Sequence, residues 1–334
     1  MPMHPLDEQT PYQNLTPDTI LDAVEGAGYP CTGALSALNS FENRVYQIGV
    51  EGSSPLVAKF YRAGRWSDAA IQEEHRFCQL LAAQELPVVA PLVGADRQTL
   101  FHHRGYRFAL YPRQGGRAPE LENLANLEQL GRFLGRMHAA GASRPYRHRL
   151  QLDGANWGVT SARQVLASGR LSESWRPRYQ ALTTNLIDII KITFQEAGRL
   201  RPIRLHGDCH PGNILWTPTG PFFVDFDDTC MGPAIQDLWM CLSGERAERT
   251  LQMSHLLQGY RMFFDFNRAE LALIEPLRTL RMLHHAAWIA RRWADPAFPQ
   301  AFPWFNGPRY WEEHIHALQE QVELLAESPL DIVW

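Results

Sequence analysis

IRLHGDCHPGNILWTPTGPFFVDFDD, residues 203–228, is a polar loop held between short apolar runs, and it constrains the architecture more than any other stretch of the chain. Within it His206, Asp208 and Asn213 stand in the order H-x-D-x-x-x-x-N, and Asp225 follows at the end of an apolar strand. That spacing is the form of a phosphoryl-transfer loop. The chemistry needs a base that faces an attacking hydroxyl, which is Asp208. It also needs hard oxygen ligands for a magnesium bridging the phosphates, which are Asn213 and Asp225. Taken singly, an Asp or Asn beside Pro-Gly reads as turn chemistry. The four residues together between apolar strands do not. A zinc site from His206, Cys209 and His210 is a rival, but it lacks a second ligand cluster of the structural-zinc type. Cys209 reads as a small buried side chain.

Toward the N-terminus, Thr16-Pro17 marks the start of a short helix carrying Ile20, Leu21 and Val24. Runs at 33–39, 44–50 and 56–61 then read as an antiparallel meander, a helix covers 67–84, and 86–93 and 106–111 read as two further strands. Strand alternation places Lys59 on one face with Val57 and Tyr61. A third-strand lysine paired to a helix glutamate is how phosphoryl-transfer enzymes hold the α- and β-phosphates. Glu74 is the expected partner and Glu73 the alternative. The nucleotide roof falls on Asn39–Asn43, with Ser40 and neighbouring amides in place of the usual glycines. Adenine is expected against backbone groups at Leu110, Tyr111 and Pro112; the other reading of that strand is core alone.

Beyond Gly115-Gly116 the pattern turns helical. Leu124, Leu127, Leu130, Leu134 and Met137 recur at helical spacing, and 173–197, 247–264, 268–293 and 309–326 read as further helices. The predicted division is an N-lobe at 1–113, sheet plus helix with the nucleotide roof, and a helical C-lobe at 114–334 with the catalytic loop and metal site. Lys and Arg total 32 against 36 Asp and Glu, a net charge of −4, so no basic field draws the protein to nucleic acid. No apolar run reaches the roughly 18 to 20 residues of a membrane span, and the first residues lack a signal-peptide pattern. The five scattered cysteines fit a reducing compartment. A cytoplasmic monomer without membrane or nucleic-acid partners is expected.

At these residues the chain resembles the aminoglycoside phosphotransferase-like kinases: the H-G-D-x-x-x-x-N loop, the VDFDD strand end, and Gly232-Pro233-Ala234 with Asp237-Leu238 at a helix start. The resemblance implies an α+β, protein-kinase-like two-lobed fold, ATP as donor, magnesium, and an Asp237 that braces the catalytic loop. It also implies a bracing role for His206. Over nearly the whole chain there is a narrower likeness to a serine/threonine protein kinase on this fold, carried by Leu38–Tyr46, Gly232–Trp239 and the run RRWADPAFPQAFPW at 291–304. It implies Ser or Thr hydroxyls of proteins as acceptors. Ser40 is a candidate site of self-modification because it falls on the roof above the γ-phosphate. The open alternatives are a small-molecule kinase acting on homoserine, choline or an antibiotic, and a dead nucleotide-binding regulator. The last would be expected to lack at least one of Lys59, Asp208, Asn213 and Asp225. The 10 Trp, 10 Tyr and 16 Phe keep an aromatic cage for choline open. Asp227 and Asp228 read as solvated carboxylates, with further metal ligands as the alternative.

Overall fold

The computed structural model describes residues 11–198 and 200–333. They form two compact units. The first comprises residues 11–119 together with Tyr146–Arg149 and Pro211–Asp228, and the second takes Glu120–Pro145, residues 150–198 and 200–210, and residues 229–333.

In the first unit, helix α1 (Pro17–Gly26) starts where Thr16 accepts the Thr19 N–H and Pro17 supplies a helix-ready φ. Strands β1 (Cys31–Leu38), β2 (Arg44–Val50) and β3 (Leu56–Phe60) are followed by helix α2 (Asp68–Ala83), then β4 (Phe101–His103) and β5 (Tyr106–Pro112). They make one antiparallel sheet in the order β1-β2-β3-β5-β4. One face buries Ile48, Ala58, Phe60, Phe108 and Leu110 against Ile20, Ala23 and Val24 of α1. The hairpin of β7 (Ile214–Thr217) and β8 (Gly220–Phe223) completes the unit.

The expected strand at 86–93 is not formed. Pro87 and Pro91 remove the N–H groups a ladder needs, so only Val88 bridges Phe223, and Leu92 gives its N–H to the Leu110 carbonyl at 2.7 Å. The edge strand β4 was not expected; three residues, two of them His, carry too little alternation to be read.

The second unit holds α3 (Leu124–Gly141), a π-helical turn (Gly154–Val159) running into α4 (Thr160–Ala167), and α5 (Arg176–Glu196). After the short pair β6 (Ile203–Leu205) and β9 (Cys230–Gly232) come α6 (Ile235–Trp239), α7 (Arg246–Tyr260), α8 (Ile274–Arg292), α9 (Ala297–Ala301) and α10 (Pro308–Leu324). The helix expected over 268–293 is two pieces, a 3₁₀ segment at Arg268–Leu273 and then α8. Pro276 has no N–H to continue an α-helical ladder back across the joint. The core is built from α4, α5, α8 and α10, through Val165, Leu186, Leu283, Trp311 and Leu318, with Phe305 added from the 3₁₀ turn Pro303–Asn306. Helices α3 and α7 approach closely because Gly135 and Gly259 lack side chains. A Cβ on Gly135 would stand 2.4 Å from the Tyr260 carbonyl oxygen, and one on Gly259 1.9 Å from that of Glu128. Among the described residues no helix is long and apolar enough to cross a membrane.

Candidate active site

In the first unit a cavity of about 300 Å³ is lined by Ser40, Val57, Lys59, Glu74, Tyr111, Pro112, Asn213 and Asp225, among others. Register explains the sheet's share: Val57 faces Tyr111 across β3 and β5, and Lys59 lies two residues along the same face. Leu110 does not belong to this cavity. It points to the opposite face, fully buried in the core, and its carbonyl is taken by Leu92.

The glycine-free roof is fixed by side chains bonding to backbone. Ser40 Oγ donates to the Asn43 carbonyl at 3.2 Å, Asn43 Oδ1 accepts the Arg62 N–H at 3.1 Å, and the buried Arg62 guanidinium donates to the Glu42 carbonyl at 2.9 Å. Arg62 gave no signal in the sequence.

Lys59 is buried among carboxylates, with Nζ 3.0 Å from Asp225 Oδ1, 3.1 Å from Asp227 Oδ1 and 3.8 Å from Glu74 Oε1. Burial opposes its charge, but Asp225, Asp227 and Glu74 together outweigh burial and raise its pKa well above the ordinary value. Glu73 faces elsewhere and accepts the N–H groups of Arg147 and His148 at 2.8 and 2.9 Å.

Asp225 sits at φ 57°, a left-handed conformation that costs a non-glycine residue free energy and recurs at functional sites. The expectation that Asp227 and Asp228 are solvated is corrected for Asp227. That residue is buried and pairs with Lys59 and Arg65, while Asp228 is half-exposed and bonds Arg65 Nη2. Burial pushes the Asp227 carboxyl up, yet Arg65, Lys59 and Arg149 more than offset this and hold it well below the usual carboxylate range.

The donor set suits a hard divalent cation. Asn213 offers an amide oxygen and Asp225 a carboxylate 56% exposed at the same cavity.

In the second unit Asp208 follows β6, and its backbone is positioned from below. Asp237 of α6 accepts the N–H groups of His206 and Gly207 at 2.7 and 2.9 Å. His138 of α3 reaches the same carboxylate through Nε2 at 3.0 Å and meets the Tyr260 hydroxyl through Nδ1 at 2.9 Å. Gly207 takes φ 88°, open to glycine. His206 is fully buried and its Nδ1 accepts the Asp208 N–H at 3.3 Å, which is a structural use of the ring. Cys209 is buried, and its carbonyl accepts the Cys241 thiol. Among the described residues no three His, Cys, Asp or Glu side chains cluster to hold a metal.

The Asp208 carboxylate is paired with Arg281 of α8, and His210 Nε2 lies 3.4 Å from it. Burial works against ionisation; the His210 hydrogen bond and the Arg281 charge overcome it and keep Asp208 far below the ordinary carboxylate value. Sequence reasoning found neither Arg281 nor Arg65, because nothing local marks them.

Residues 34–274 match the phosphotransferase enzyme family. Stress response kinase A of Escherichia coli O157:H7 is 44% identical over 322 residues, covering 96% of this chain and 97% of that one. The serine/threonine protein kinase RdoA of Salmonella typhimurium is 43% identical over 328 residues, 98% of both chains. Among solved structures, an amicoumacin kinase in complex with AMP-PNP and Ca2+ superposes with TM-score 0.73 over 94% of this chain and 96% of its own, at 18% identity, a likeness of fold. The fold is that of the aminoglycoside phosphotransferase-like kinases, and the chain belongs to the phosphotransferase enzyme family, alongside the stress response kinase A proteins.

Proposed function

We propose that this protein transfers the γ-phosphoryl group of ATP, with magnesium, to Ser or Thr hydroxyls of proteins as part of a stress response. The observation that carries the phosphotransferase part is one cavity lined by Ser40, Lys59, Glu74, Asn213 and Asp225, residues drawn from four separate stretches of sequence. The acceptor class rests on near full-length similarity to a relative named as a serine/threonine protein kinase.

In this reading Lys59, held by Glu74, grips the α- and β-phosphates, and the roof around Ser40 closes over them. Tyr111 and Pro112 border the adenine. Asn213 and Asp225 would hold the magnesium, whose charge would offset that of the phosphate oxygens. Asp208 orients the acceptor hydroxyl and takes its proton as the new P–O bond forms and the bond to ADP breaks. Its low pKa keeps it ionised at neutral pH. The ionised carboxylate orients the hydroxyl for attack.

The test is purified protein with labelled ATP, magnesium and two acceptor sets, a protein mixture and a panel of small alcohols, read by mass spectrometry. Phosphate is expected on Ser or Thr. Asp208→Asn should still bind nucleotide and should lose about 10² to 10⁴ in rate. Label appearing only on a small alcohol would reject the protein acceptor. Near wild-type turnover in the variant would remove Asp208 from its role.

A further inference from the structure

Glu74 has a closer partner than Lys59. Its Oε1 lies 3.8 Å from Lys59 Nζ, but its Oε2 accepts Arg149 Nη2 at 2.6 Å. Arg149 belongs to the short segment Tyr146–Arg149, which groups with the first unit although the chain on either side of it lies in the second.

The guanidinium is buried, and each of its three nitrogens donates a hydrogen bond. Nε donates to the Ala70 carbonyl in the first turn of α2 at 2.9 Å, and Nη1 donates to the Asp227 carbonyl at 2.6 Å. Its plane lies over the Trp66 ring, 4.4 Å from the centroid. A buried cation is tolerated only when its charge and its N–H groups are all answered, and here one planar group answers to α2 twice and to the Asp225–Asp228 turn once.

The rest of the segment grips the same helix. Glu73 takes the N–H groups of Arg147 and His148, and Tyr146 packs edge-on against Phe77 with ring centroids 6.0 Å apart. The two adjacent acids therefore divide the work: Glu73 anchors the strap, and Glu74 receives what the strap presents.

We infer that Arg149 is a positioning residue for the phosphate clamp, holding Glu74 toward Lys59 and tying α2 to the Asp225–Asp228 turn. This rests on the reading of Lys59 and Glu74 as the clamp. Electrostatics agree with the geometry: burial raises the Glu74 pKa, and Lys59 and Arg149 are the charges that oppose it. Without Arg149 the carboxylate would lose one of the two charges that offset its burial, and the hydrogen bond that aims it. A lysine at 149 would keep the charge but replace a three-armed fork with a single point.

The test is a double-mutant cycle on magnesium-ATP affinity by calorimetry, using Arg149→Met, Glu74→Gln and the pair, with Lys59→Ala as reference and thermal melting on every variant. Arg149→Met should raise the nucleotide Kd and KM by about tenfold with a smaller loss in kcat, and the double variant should be no weaker than the worse single one. Effects that multiply, or a lowered Tm with unchanged Kd, would overturn the inference. If Arg149→Met does not fold, Arg149→Lys decides the matter: a raised KM supports the fork, and a wild-type KM refutes it. Lys59→Ala separates the two levels. Unchanged affinity in that variant would bring down the clamp reading itself, and the inference with it. Lost affinity there beside an indifferent Arg149 would refute the inference alone.

Discussion

Arg281 reaches Asp208 from α8 across 73 positions of sequence, and Arg149 and Arg65 reach Glu74 and Asp227 across 75 and 162. Those separations explain what could be read beforehand. Asp208, Asn213 and Asp225 stand at fixed spacings because one loop and one strand end must aim them, so the chemistry writes itself into local sequence. The arginines that pair with Asp208, Glu74 and Asp227 are chosen by three-dimensional proximity, and any helix or loop with a suitable Cβ direction serves. Arg281 also offers a direct measurement. Because its charge helps depress the Asp208 pKa, Arg281→Met should let that pKa rise, so the protonated, inactive form persists to higher pH. The acidic limb of the kcat/KM profile is expected to move to higher pH, with activity near neutrality less affected. A limb that stays in place would show that His210 alone sets the carboxylate. Asp227 makes the matching statement about stability. Its pKa is depressed in the folded state, so its contribution is present above the unfolded value of about 3.9 and drains away as pH falls below it.

Helix α2 shows how much of an element is written locally and how much is imposed. Its start is local: Ser67 accepts the Ala70 N–H at 3.2 Å, and Asp68 sits in the first turn where the helix dipole favours an acid. Its apolar face, Ile71, Phe77, Cys78 and Leu81, follows from periodicity. Which of Glu73 and Glu74 turns toward Lys59 does not follow, since adjacent residues differ by about 100° around the axis and the strand's position sets the zero. Ser67→Ala should lower stability by about 1 kcal/mol and weaken nucleotide binding slightly, because the same turn presents the Ala70 carbonyl to Arg149. Chemical denaturation alongside ATP titration checks both. The second unit was less legible where backbone departs from regular periods. The π-helical turn at Gly154–Val159 and helix α4 escaped notice, the first because a wide turn carries no 3.6-residue signature and the second because Thr160–Ala167 is short.

For the whole molecule, the lesson lies in continuity. A single cut after Arg113 describes a chain that is partitioned once, whereas the first unit gathers Tyr146–Arg149 and Pro211–Asp228 from far along the sequence. The reasons are specific pairings: Arg117 exchanges both backbone bonds with Trp216, and Val89 and Pro87 flank Phe223. Composition cannot report such returns, because each is only a few residues long. The second unit keeps its own alignment differently. Gly135 and Gly259 set how near α3 and α7 lie, and His138 and Tyr260 sit on those two helices at the head of the chain of bonds that ends on the backbone of His206 and Gly207. Gly135→Ala should therefore cost about 1 to 3 kcal/mol in stability through overpacking. It should also lower kcat at unchanged KM for ATP, since the nucleotide cavity is lined by the first unit; steady-state kinetics on the folded variant decide it. Two hydrogens standing where methyl groups would otherwise be thus act as a calliper, and the jaw they set is read out, several bonds away, as the aim of a carboxylate.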